Sequence, residues 1–190
     1  MAFDLFGAPQ FGLADCKVAA WQGEGSYGTA VDVMAIQALN TVMRVISAEL
    51  PGDDTIVASA SRPIGAQITL RFGSVNLGVL EVIFGITATS SVATPNTVKL
   101  LRIAGGERLP YFGIVGKALA EEGNGDFLVF VPKVKIMGDV NLVQLEYGQF
   151  AIPEMTVMAV PDEIYGTINL IPRETTGVFT IPPANIPTIS

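Results

Sequence analysis

The chain has 190 residues, 49% of them apolar and 15% charged, with no histidine and one cysteine. That length fits one domain with arms, and a fold of this size buries roughly 70% of its unfolded surface without a staple. Eighteen acids against eleven bases leave a net charge of −7, which argues against a DNA-coating protein.

Residues 1–16 set Phe3, Phe6 and Phe11 among Gly7, Pro9 and Gly12 without a period, and predict an irregular N-terminal arm. A short strand is expected over 17–22, ended by the glycine-rich turn 23–28. The stretch 29–39 matches helix and strand equally. Residues 41–50 are rich in β-branched side chains, Pro51-Gly52-Asp53-Asp54 supplies a turn, and 55–62 is a second extended run. Together they predict a hairpin. Ile64, Ala66, Ile68, Leu70 and Phe72 then alternate with Gly65, Gln67, Thr69 and Arg71, so this strand buries one face.

The period changes next. Leu77, Leu80, Ile83 and Phe84 follow helical spacing, with Asn76 as N-cap and Gly85 as C-cap, predicting one short helix over about 76–84. A Ser/Thr-rich loop is expected over 87–96. Four strand candidates follow at 99–103, 109–119, 127–136 and 142–160, the last broken near Gly148 and Pro153, with turns at Gly105-Gly106 and 121–125. The proline-rich stretch 172–190 has no period and predicts a C-terminal arm that is ordered only where it docks. The division is therefore an arm over 1–16, a β domain over 17–171 and an arm over 172–190.

Most chemistry lacks its residues. Without histidine the commonest general base and metal ligand are missing, and a lone Cys16 allows neither an internal disulfide nor an all-cysteine zinc site. Gly23-x-Gly25-x-x-Gly28 matches a dinucleotide fingerprint with Glu49 about twenty residues on, but Glu24 puts a charge inside the turn and no βαβ alternation follows. Asp32, Glu49, Asp53 and Asp54 fit no cation loop and read as turn residues. Glu121, Glu122 and Asp126 read as a solvated turn. Lys133 and Lys135 share a strand face and are expected as outer-surface charges, while Phe112, Phe127, Phe130 and Phe150 are expected in the core. No catalytic residue, cofactor or metal is assigned. No segment reaches the ~18 apolar residues of a membrane helix, and no cationic leader precedes the first base, Lys17, so neither membrane contact nor a signal peptide is expected.

The order of elements resembles a known family. The hairpin around Glu49-Leu50-Pro51-Gly52-Asp53-Asp54 leads into Gln67-Ile68-Thr69-Leu70-Arg71-Phe72-Gly73, then the helix Asn76 to Gly85. Tyr111-Phe112-Gly113-Ile114-Val115-Gly116-Lys117-Ala118 and the run Gly125 to Lys135 follow. This layout resembles the tail tube (major tail) proteins of long-tailed bacteriophages, the siphophage type above all, whose fold is shared with contractile-tail tubes and the type VI secretion tube protein.

The resemblance implies a mainly β fold, a β-sandwich or barrel flanked by one helix, in hexameric rings that stack into a hollow tube. It implies a virion location, assembly in the host cytoplasm, and partners in further copies of the chain and the tail-tip initiator and terminator proteins. Genomic DNA would pass through the lumen without specific binding. The hairpin 41–62 and the strand 64–72 are then expected at the inner barrel. Thr41, Ser47, Glu49, Thr55, Ser59 and Ser61 are its lumen-facing candidates, with Arg44 and Arg62 on the other, mostly apolar face. Asp53 and Asp54, at the hairpin tip, are the candidates for contact between rings. The competing reading is a capsid decoration or adhesin-like β domain with no lumen.

Overall fold

The computed structural model describes residues 10–51, 56–93, 96–120, 125–143, 146–148, 152–173, 176–184 and 186. The protein is mainly β with one short helix. In chain order its elements are β1 (Gln10–Gly23), β2 (Ser26–Tyr27), β3 (Val31–Asp32), β4 (Ile36–Pro51), β5 (Ile56–Phe72) and α1 (Leu77–Phe84). They continue with β6 (Thr89–Ala93), β7 (Asn96–Leu100), β8 (Phe112–Ala120), β9 (Asp126–Asn141), β10 (Glu154–Ala159) and β11 (Asn169–Arg173). Among the described residues nine strands form one sheet in the order β2-β1-β8-β9-β10-β5-β4, with β3 also on β1 and β11 also on β9. Every pairing is antiparallel, and β6 and β7 make a separate hairpin.

The sheet folds over one main core. Cys16 and Val18 from β1 and Phe112 and Ile114 from β8 meet Ile68 and Phe72 from β5. The end strand β4 comes back over the sheet closely enough that a Cβ on Gly116 of β8 would sit 2.3 Å from the Leu39 side chain of β4. The helix closes the core with Val79, Leu80 and Ile83. Its ends follow the sequence: the Asn76 side chain accepts from the Gly78 N–H at 3.0 Å, and Gly85 stops the helix at φ 68°.

A second core lies on the opposite face of β1, β8 and β9. There Val115, Leu128 and Phe130 are covered by Phe179 and Ile181. A bulge makes both faces of β9 usable. Phe112 pairs with Val134 but Ile114 with Val131, so the register slips between them. Leu128 and Phe130 therefore serve the second core, and Val134 and Ile136 the first.

Several expectations change. The first strand begins at Gln10 and pairs with β8 from there, so 10–16 is sheet rather than arm. A register shift between Phe11 and Asp15, with Gly12 at φ 69°, breaks the alternation that would have marked it. The described part of the 55–62 run, from Ile56, and the run 64–72 belong to one strand, β5, and Ile64 is exposed rather than buried with Ala66. The expected Ser/Thr loop 87–96 holds β6 and the first residue of β7, the expected strand 99–103 is strand only at its start, to Leu100, and the segment around Gly105-Gly106 joins no hairpin.

The expected C-terminal arm contributes Pro172 and Arg173 to β11, and its described remainder packs on the chain's own body. A latch holds it. Arg173 Nε donates to Asp126 Oδ1 at 2.6 Å, its Nη2 pairs with Asp126 Oδ2, and the guanidinium also donates to the Gly177 and Val178 carbonyls. The Asp126 side chain is fully buried, so it is no solvated turn residue. The pairing raises the pKa of Arg173. Gly177 and Val178 lie beyond the β11 ladder, and their carbonyls accept from the guanidinium instead.

Candidate functional site

The most unusual feature is the length of β4 and β5, 16 and 17 residues. They pair from Ile36↔Phe72 out to Pro51↔Ile56. On the body, β10 covers β5 from Arg71 to Ala66 and then stops at Ala159. Beyond that point neither strand has a second neighbour among the described residues. The departure is built by Gly65, at φ 156°, where a Cβ would lie 2.6 Å from the Ala159 carbonyl oxygen. Arg44 pairs with Gly65 and Val45 with Pro63, leaving Ile64 as the extra, bulged residue. From Gly65 to Ile56 the ribbon reaches roughly 30 Å at the usual rise per residue.

Apolar side chains stand in solvent along this ribbon. Val42, Val45, Ile46 and Leu50 are each more than half exposed, and Ile64 nearly so. A two-stranded ribbon with unpaired edges and apolar side chains is a template for another chain. Directly opposed residues share a face, so Ser47↔Ser61 and Glu49↔Ser59 make one polar face. Ile46↔Arg62, Ala48↔Ala60 and Leu50↔Ala58 make the other. The structure thus brings Ser47, Glu49, Ser59 and Ser61 together. Thr41 is different: it pairs with buried Ile68 on the body, is itself half-buried, and its hydroxyl has no hydrogen-bond partner among the described residues. Asp53, Asp54 and Thr55 lie outside the described residues.

The β6–β7 hairpin pairs with no other strand among the described residues; sequence reasoning expected a loop where β6 lies and a strand at 99–103, over the end of β7. Val98 and Leu100, two apart on β7, share one face, with Lys99 on the other. Val98, Leu100 and the following Ile103 are 57%, 50% and 43% exposed. Residues 86–108 carry Lys99, Arg102 and Arg108 against one acid, Glu107, whereas 45–61 carry Glu49, Asp53 and Asp54 and no base. The signal was the β-branched residues on both sides of Thr94-Pro95.

No protein-family model matches the chain, and no curated protein matches it.

The motifs of chemical interest turn out to hold the body together. Within the glycine-rich segment Gly23 ends β1 and Ser26–Tyr27 form β2, and Glu24 in the turn between them joins a half-buried ion pair. Lys133 Nζ lies 2.8 Å from Glu24 Oε1 and 4.1 Å from the centre of the Trp21 ring. Lys133 is therefore mostly covered, not an outer-surface charge, while Lys135 lies over Tyr111. Trp21 Nε1 donates to Asp162, whose other oxygen accepts from the Ile164 and Tyr165 N–H groups. The Lys133 hydrogen bond, helped by the Glu163 N–H, lowers the Glu24 pKa to about 2. Phe112 and Phe130 are buried, Phe127 is half-buried, and Phe150 lies outside the described residues. Burial raises the pKa of the Cys16 thiol and of Tyr27, which leaves both protonated and chemically quiet. Beside the ribbon's base, an open depression of about 310 Å³ is lined by Arg44, Gln67, Met137, Thr156, Val157 and Met158 and holds no carboxylate. Two hairpins with exposed apolar side chains thus stand off the β body.

Proposed function

We propose that the protein is a structural subunit of a hollow homo-oligomeric tube, the tail tube of a long-tailed bacteriophage. The observation that carries this reading is the β4–β5 ribbon, which leaves the body at Gly65 with no second neighbour on either strand among the described residues and with exposed Ile46 and Leu50 on one face. Closing such ribbons across subunits removes the free edges and covers the apolar face. In rings that stack, the face bearing Ile46, Ala48 and Leu50 is covered by a neighbour. The face bearing Ser47, Glu49, Ser59 and Ser61 lines the lumen, where Glu49 and the absence of a base keep phosphates from sticking. Thr41 lies on the body side of the ribbon and drops out of the lumen set. The tube conducts the genome without holding it, and the tail-tip initiator and terminator proteins cap its ends.

Negative-stain electron microscopy of the concentrated protein, alone and with a tail-tip complex, tests the reading. Rings with a central hole or hollow tubes are expected. Uniform single particles under both conditions would overturn it and favour a capsid decoration or adhesin-like domain.

A further inference from the structure

We draw no further inference here: the strongest candidate, the exposed apolar face of Ile46 and Leu50 on the distal β4–β5 ribbon, belongs to the surface already described, and nothing in the structure shows what covers it.

Discussion

Gly65 and Ala159 meet backbone to backbone where the ribbon leaves the body, and a Cβ on Gly65 would lie 2.6 Å from the Ala159 carbonyl oxygen. The obstacle is main chain and does not swing away as a side chain would. The φ of 156° adds strain for any residue with a Cβ.

Gly65→Ala is therefore expected to cost about 2 kcal/mol, from backbone strain and displacement of β10. Urea unfolding measures it. The same variant re-aims the ribbon, so its assembly should fall further than its stability loss explains. Unchanged stability would show that β10 yields at no cost.

Arg173→Ala removes the partner of a fully buried carboxylate and the donor to two carbonyls of the C-terminal segment. A loss of about 3 kcal/mol is expected, because the buried Asp126 carboxyl loses its ion-pair partner and keeps the Gly177 N–H as donor. Limited proteolysis should then cut within 176–186, exposing the apolar patch of Val115, Leu128 and Phe130. Replacing both partners, as Asp126→Leu with Arg173→Met, should recover most of the stability, since no buried charge remains. A double variant as weak as the single one would point to shape rather than charge.

The Glu24–Lys133 pair makes a prediction in pH. The folded pKa of Glu24 is about 2 against an ordinary value of 4.5. Its stabilisation is therefore fully present above pH 4.5 and is lost as the pH falls toward 2. Compared with wild type, Lys133→Met should be less stable at pH 7, and the gap should narrow steadily below pH 4.5. A gap independent of pH would assign the loss to the Trp21 stacking instead. Titration of the Glu24 carboxyl by NMR reads the pKa directly.

The legible parts of this chain are those in which neighbours in sequence are neighbours in space. Asn76 and Gly85 cap α1 through contacts two to four residues away, and the spacing of Leu80 and Ile83 names its buried side. Ala66, Ile68, Leu70 and Phe72 announce a half-buried strand by strict alternation. The turn signal that begins at Pro51 predicts a reversal, and Pro51 does pair with Ile56 across the ribbon. The polar face of Ser47, Glu49, Ser59 and Ser61 follows from the period of two once Ser47 pairs with Ser61.

Illegible parts depend on partners far along the chain. The 10–16 part of the first strand hid because the register shift between Phe11 and Asp15, with Gly12 at φ 69°, breaks its alternation. The C-terminal strap hid because its bonds go to Arg173 and Asp126 rather than to a ladder. Thr41 looked equivalent to Ser47, six residues on, until the strand's passage across the body separated them.

By itself the sequence determined a β-rich chain with one capped helix, a long amphipathic hairpin and an uneven charge. Those features are set by local sterics, side-chain period and composition. Only the tertiary structure decided that Ile68 and Leu70 are covered while Ile46 and Leu50 are not. The residue types are the same and the strands are continuous. The difference lies in β10, which reaches Ala159 and ends, so that burial is decided by what lies across from a strand and not by the strand itself.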